Sequence, residues 1–160
     1  DKKNVDMLTR HKVFSEAELK SRCEIMLDNY CKTVLIEANT MADMAKTEII
    51  PAVEMYALEV ARTAAAKKAL IEDLACTYEM GLVKKLSQLT DMIALKAEEL
   101  EEAVMELQGI GDVVGQSEFI RDMILNKMGE LRAVSDEAET IMAKKYWPYP
   151  SYGDLLFGVR

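Results

Sequence analysis

The sequence predicts an all-α fold. Its 160 residues include only 7 Gly and 3 Pro, whereas 50% are hydrophobic and 30% are charged. Apolar residues recur every three or four positions over long stretches, which is the period of a helix with one buried face. No alternating run typical of a half-buried strand interrupts these stretches. We therefore expect one domain built as an antiparallel bundle of three to four long helices.

Three segments divide the chain. Residues 1–13 are short and charged, and we interpret them as a linker with one or two helical turns leading into the domain. Residues 14–145 carry the helical pattern and form the bundle. Residues 146–160 form an aromatic and Pro-rich tail, for which we expect an extended structure. Because the chain begins with Asp1 rather than Met, we expect a fragment of a larger protein.

The first long helix has clear start signals. Ser15 and Glu18 have the spacing of a capping box, and Phe14 and Leu19 have the spacing of a hydrophobic staple. An apolar stripe without any Gly then continues towards Leu70. Its members are Leu19, Cys23, Met26, Tyr30, Val34, Met41, Ala45, Ile49, Val53, Tyr56, Val60 and Ala64.

A straight helix over this whole run is too long for a compact domain, since about 55 residues at 1.5 Å per residue span about 80 Å. We expect a kink near Pro51, because proline has no N–H to donate and its ring clashes with the carbonyl of Thr47. The alternative is a full break at Asn39 and Thr40, with Thr40 capping a new helix.

Two further helices follow. A turn over 71–76 leads to a helix capped by Thr77, and a Gly-containing loop over 108–115 leads to a helix capped by Ser117. The stripe of the middle helix contains Tyr78, Leu82, Leu86, Leu89, Ile93, Ala97, Leu100, Val104 and Leu107. The stripe of the last helix contains Ile120, Ile124, Met128, Leu131, Val134 or Ser135, Ala138 and Ile141.

Residues that carry chemistry are few. The single His, His11, lies in the charged linker, so neither a His-containing metal site nor a Ser-His-Asp triad can be assembled. Cys23, Cys31 and Cys76 form no C-x-x-C motif and are predicted to be buried thiols. The glycines of the 108–115 loop follow a helix rather than a strand, which argues against a phosphate-binding role. We therefore predict no catalytic, cofactor-binding or metal-binding residue.

Charge and methionine content indicate structural rather than binding roles for these residues. The net charge of −8 argues against binding of nucleic acid or anionic membranes, and no apolar run approaches the about 20 residues of a spanning helix. Acidic pairs such as Glu98 and Glu99 are interpreted as solvated helix faces, and Asp43 as a cap or an ion-pair partner of Lys46 or Lys32. The methionines interpreted as core filler are Met26, Met41, Met44, Met55, Met123, Met128 and Met142.

The tail differs in composition from the rest of the chain. It contains the only Trp and three of the six Tyr, and such groups are frequent anchors of contacts. It is expected either to lie along a groove of its own bundle or to dock on another domain or subunit. The residues predicted to pack or dock are Phe14, Pro51, Trp147, Pro148, Tyr149, Tyr152, Leu156 and Phe157.

Two stretches resemble a known family. The first runs from Arg10 to Val53 and contains FSEAEL, NYCKT and IPAV. The second runs from Glu130 to Phe157 and contains ELRAV, YWP and YGDLLF. Together they resemble the C-terminal helical domain of type III glutamine synthetases.

The resemblance implies a parent enzyme that joins ammonia to glutamate using ATP, with magnesium or manganese in its active site. It also implies a ring-shaped homo-oligomer in the cytoplasm, in which this domain contacts the catalytic domain of its own polypeptide and neighbouring subunits. No ATP-binding, metal-binding or glutamate-binding position of the family matches a residue of this sequence. The domain is therefore expected to be non-catalytic and oligomer-organising. The alternatives are an independent cytosolic helical scaffold or partner-binding module, and a small-molecule sensor.

Overall fold

The computed structural model describes residues 1–158, except for the side chain of Tyr152. All regular structure in this range is helical, which confirms the all-α prediction. The α-helices are α1 (Lys2–Arg10), α2 (Glu16–Met44), α3 (Ile50–Leu70), α4 (Thr77–Gln108), α5 (Val113–Phe119), α6 (Leu125–Ile141) and α7 (Tyr152–Phe157). The π-helical turns Ala45–Ile49 and Ile120–Ile124 join α2 to α3 and α5 to α6, and the 3₁₀ turn Lys144–Tyr146 follows α6.

The start of α2 has the predicted capping box. The Glu18 N–H donates to the Ser15 hydroxyl at 3.3 Å, and the Ser15 N–H donates to the Glu18 carboxylate at 2.8 Å. The Ser15 N–H, followed by the Ser15 hydroxyl, which also donates to the Glu18 carboxylate at 2.8 Å, lowers the pKa of Glu18. The helix then continues through Asn39 and Thr40, so the alternative of a break there is wrong. Both side chains donate to a carbonyl one turn earlier instead of capping a new helix.

The π-helical turn Ala45–Ile49 lies just before Pro51. The N–H of Ile50 donates to the carbonyl of Ala45, five residues earlier, and the helix then continues as α3. Because Pro51 cannot donate to the carbonyl of Thr47, the α-helical ladder is interrupted here in any case. A wider turn at this point allows the two helices to remain continuous.

The hydrophobic core is centred on α4, which contacts α2, α3 and α6. The predicted stripe of α4 is buried from Leu86 to Leu107, whereas Tyr78 at its start is 74% exposed. The stripe predicted from Ile120 to Ile141 is buried or half-buried along its whole length. The largest fully buried side chains are Leu86, Leu89, Ile93, Leu100, Ile120, Ile124, Leu131 and Val53.

The first half of α2 lies outside this core. No side chain between Asp1 and Tyr30 is buried, although the apolar pattern predicted a buried stripe there. Met26 is 73% exposed, and Cys23 is an exposed rather than a buried thiol. Burial begins at Cys31, where α5 packs against α2. The pattern correctly predicted a helix, but other helices of the chain cover only its second half.

Two helices begin at other caps than predicted. The residue before α4 is Cys76, which has a left-handed backbone with φ of 46°, and Thr77 is already the first residue of the helix. The cap of α5 is Asp112, whose carboxylate accepts from the N–H of Gly115 at 2.8 Å. Ser117 therefore lies inside the helix, where its hydroxyl donates to a backbone carbonyl three residues earlier.

Several ion pairs lie on the exposed surface of the helices. The pairing predicted for Asp43 is absent, because Lys46 pairs with Glu101 of α4 and Lys32 pairs with Asp28 at 2.6 Å. Exposed pairs of this kind contribute at most about 1 kcal/mol each, so the apolar core carries most of the stability. None of the helices described over residues 1–158 is both long and apolar enough to cross a membrane.

Two leucines of α4 test this assignment of the core. Leu89 is fully buried, whereas Leu95 is exposed on the same helix. Leu89→Ala should lower the free energy of unfolding by about 2–5 kcal/mol, because it removes buried methyl groups and leaves a cavity. Leu95→Ala should change it by less than about 0.5 kcal/mol. Chemical denaturation followed by circular dichroism measures both, and equal losses would contradict the central place of α4.

Candidate functional site

A groove opens between α2, α6 and the C-terminal tail. Its volume is ≈ 740 Å³, which is in the range of ligand-binding and side-chain-binding clefts. The floor contains Met41 and Met44 of α2, Ile49 of the first π-helical turn, and Met128 and Leu131 of α6. Since methionine side chains are flexible and polarisable, this floor can adapt to the shape of an apolar partner.

The rim of the groove is acidic. Glu37 of α2 and Asp136 and Glu139 of α6 border it together with one cation, Arg132. That cation already faces Asp136, at an N–O distance of 3.4 Å. Glu37 and Glu139 take part in no ion pair among the residues that the structure describes. The rim therefore has two unneutralised carboxylates and favours a positively charged partner.

The aromatic part of the tail forms the third wall. Trp147 and Tyr149 pack against the hydrophobic core, with ring centroids 6.1 Å apart in an edge-on arrangement. Tyr146 contacts Tyr56 of α3, with a centroid distance of 5.2 Å. These contacts hold the aromatic part of the tail on the bundle of its own chain.

The prediction of an extended tail is wrong for residues 152–157, which form α7. Ser151 and Asp154 make a second capping box. The Ser151 N–H donates to the Asp154 carboxylate at 2.9 Å, and the Asp154 N–H donates to the Ser151 hydroxyl at 3.4 Å. This cap starts a helix directly after Pro150, because a proline restricts only itself and the residue before it.

Two residues of the tail have shifted pKa values. The Lys144 ammonium, 2.7 Å from the carboxylate, and then Ser151 lower the pKa of Asp154 to about 2. Burial, followed by the neighbouring Glu48 carboxylate, raises the pKa of Tyr149 to about 12. Although Glu48 is close enough to shift this pKa, the buried Tyr149 hydroxyl donates to no acceptor in the described part of the chain. It is an unpaired donor on a residue of the groove wall.

The predicted packing residues of the tail separate into two groups. Trp147 and Tyr149 line the groove, and Pro148 between them is exposed. Leu156 and Phe157 lie on α7 and are 72% and 79% exposed. The first group stabilises the tail on the bundle, and the second leaves an apolar surface open.

Two other predicted residues, Phe14 and Pro51, do not line the groove. Phe14 is half-buried at the start of α2, with the Arg22 guanidinium 4.6 Å from its ring centroid. Pro51 is exposed in the first turn of α3. The side chain of Tyr152 lies outside the described residues.

Sequence reasoning missed the methionines of the groove floor. Of the seven that were interpreted as core filler, only Met142 is buried. The exposed ones are Met26, Met55 and Met123. Met41, Met44 and Met128 are half-buried and line the groove. The count of 11 Met was the available signal, because methionine is frequent at adaptable binding surfaces.

The arrangement combines apolar and acidic side chains in one groove. Over residues 1–158 no group of three or more His, Cys, Asp or Glu side chains is placed to hold a metal ion. An apolar floor with an acidic rim binds an apolar surface that carries cations. The fold and the groove thus define a class, an all-α domain with an apolar groove bordered by carboxylates.

Comparison with known proteins identifies the family. The family model of the glutamine synthetase C-terminal domain matches residues 1–68. Glutamine synthetase of Butyrivibrio fibrisolvens is 31% identical over 157 residues, which are 98% of this chain and 22% of that protein. Type-3 glutamine synthetase of Dictyostelium discoideum is 26% identical over 159 residues, and the alignment covers 97% of this chain and 22% of that protein.

A third relative agrees with these two. Glutamine synthetase of Bacteroides fragilis is 23% identical over an alignment of 163 residues, gaps included. The alignment covers 98% of this chain and 22% of that protein. The chain is a C-terminal domain of glutamine synthetase-like proteins, and the resemblance predicted from its sequence is confirmed. It spans 22% of the length of each of these relatives.

The contact of Lys144 with Asp154 predicts a pH dependence. Because the pKa of Asp154 is lowered from its ordinary 3.8 to about 2, the cap stabilises α7 fully above pH of about 4 and loses this effect as the pH falls towards 2. Lys144→Ala should raise the Asp154 pKa towards its ordinary value. Lys145→Ala is the matched control, because the Lys145 ammonium lies 4.6 Å from the Tyr146 ring centroid instead. Carboxyl-carbon NMR titration measures the pKa, and equal effects of the two variants would contradict this pairing.

Trp147 tests the packing of the tail. Trp147→Ala should lower the free energy of unfolding by about 2 kcal/mol, less than for a fully buried Trp because the ring is half-buried. Leu156→Ala, on exposed α7, should change it by less than about 0.5 kcal/mol. Urea denaturation gives both values. A Trp147 variant as stable as the unmodified chain would show that the tail does not stabilise the bundle.

Proposed function

We propose that this chain is a non-catalytic domain that organises the assembly of a glutamine synthetase-like enzyme. The observation that carries the proposal is that 98% of the chain aligns with only 22% of the Butyrivibrio fibrisolvens glutamine synthetase. The whole chain is therefore the counterpart of one domain-sized part of a much longer protein. The rest of that protein has ample length for the catalytic machinery.

The parent enzyme, in this proposal, ligates ammonia to glutamate with ATP in the cytoplasm. Magnesium or manganese is bound by residues outside this chain. The names of the relatives, all glutamine synthetases, support this activity. The domain supplies contacts to the catalytic domain of its own polypeptide and to neighbouring subunits of a ring-shaped homo-oligomer, rather than to nucleic acid or membrane.

Exposed apolar surface supports the contact role. On α7, Leu155, Leu156 and Phe157 are consecutive and exposed. On the first half of α2, Ile25 and Met26 are exposed on a helix that no buried residue anchors before Cys31. Clustered apolar side chains in water mark protein interfaces. These two surfaces lie outside the core, so they are available to other parts of the assembly.

The same proposal includes an architecture suited to this role. The long helices form an antiparallel bundle, since short links over 71–76 and 109–112 join α3 to α4 and α4 to α5. The first long helix bends near Pro51, because a proline and an adjacent π-helical turn are both recognised causes of helix bending. Residues 14–145 form the bundle and residues 146–160 the docking tail.

Deletion from the full-length enzyme tests the proposed function. Removing residues 1–160 should yield a smaller oligomer in mass photometry and reduce ligase activity, because contacts between subunits are lost. As a finer variant, Leu156→Ser and Phe157→Ser together should weaken the assembly. Its matched control is Leu58→Ser with Leu95→Ser, which changes exposed leucines on α3 and α4. A deletion that alters neither oligomer size nor activity would exclude an assembly role.

A further inference from the structure

The short helix α1 is basic and has one free face. Lys3, Asp6, Met7 and Arg10 recur at helical spacing and share that face, which therefore carries two cations and one carboxylate. Met7 is 52% exposed. Val5 and Leu8 are half-buried on the opposite side of α1, which contacts α2. Neither Lys3 nor Arg10 forms an ion pair within the part of the chain that the structure describes.

This face of α1 complements the groove. The groove offers a methionine floor, and its rim has the carboxylates of Glu37 and Glu139 without cationic partners. The α1 face offers Met7 with a cation one turn away on either side, and its net charge stays positive because Asp6 is the one carboxylate beside Lys3 and Arg10. An apolar centre flanked by opposite charges is the pattern that fixes the orientation of two partners.

The two surfaces cannot meet within one chain. Ile36, the groove residue nearest to the start of α2, lies about 30 Å along the helix from Glu16, at 1.5 Å per residue. The helix α1 is 9 residues long, or about 13 Å, and it is held against α2. Its free face therefore does not reach the groove of its own chain.

We propose that α1 of one copy of this chain docks in the groove of a second copy. Met7 lies on the methionine floor, and the cations at Lys3 and Arg10 pair with the carboxylates of Glu37 and Glu139. This inference rests on the proposed function, since it names a contact through which the domain would organise an assembly. Because the two contacting surfaces differ, the contact runs head to tail and closes into a ring where the rotation permits.

Charge reversal on each surface tests the contact. In the 160-residue chain, one variant combines Lys3→Glu with Arg10→Glu, and the other combines Glu37→Lys with Glu139→Lys. Each variant should associate with itself at least about tenfold more weakly than the unmodified chain, because like charges then face each other. Sedimentation velocity over a wide concentration range measures the association. Circular dichroism checks that both variants, changed only at exposed positions, remain folded.

Mixing the two variants is the decisive step. The acidic α1 of one variant then meets the basic groove of the other, and the unmodified surfaces match as well, so the mixture should associate like the unmodified chain. The matched control for the first variant is Lys20→Glu with Lys84→Glu, which lowers the net charge by the same amount away from both surfaces and should leave association unchanged. An unmodified chain that stays monomeric, or a mixture that does not associate, overturns the proposal.

The outcome is separable from that of the proposed function. If the deletion disrupts the full-length oligomer but the reversed variants associate normally, the assembly role stands and this contact is wrong. If the mixed variants restore association but the deletion leaves the full-length oligomer intact, the contact exists without organising the enzyme.

Discussion

Burial of one row of side chains on α4 is the constraint on which the rest of the structure depends. Leu86, Leu89, Ile93 and Leu100 are fully buried, and three other helices contact α4. Each such side chain contributes about 1.5–3 kcal/mol of hydrophobic stabilisation, so this row fixes where the neighbouring helices lie. The groove is a consequence, because α2 and α6 both pack on α4 and leave a space between them that the tail borders.

Sequence reasoning predicted this row well and the start of α2 poorly. From Leu86 to Leu107 every residue of the predicted stripe is buried, and the steps of three and four residues missed only the buried Ala103. The same periodicity from Leu19 to Tyr30 predicted a buried face, but no residue there is buried. A periodic stripe shows that one side of a helix is apolar, but it does not show which element covers that side. The first half of α2 has such an apolar side, and no helix of residues 1–158 buries it.

The groove could not be predicted from the sequence for a related reason. Its floor joins Met41 of α2 to Met128 of α6, and no local pattern reports a contact over that separation. Local signals were present for the tail, since Ser151 and Asp154 have the spacing of a capping box, but the two prolines favoured an extended chain. Pro51 gave a physical cause for the first π-helical turn, whereas no residue type in Ile120–Ile124 predicts the second.

The long helix α2 separates two surfaces that suit each other. It places the basic α1 at one end and the acidic groove towards the other, and a continuous helix is too stiff to bring them together. Copies with a net charge of −8 repel one another in most orientations. In the proposed contact, Lys3 and Arg10 offset this repulsion locally, because they face the carboxylates of the groove. Charge patterning of this kind favours one orientation over others, while the apolar centre of the contact supplies most of its free energy.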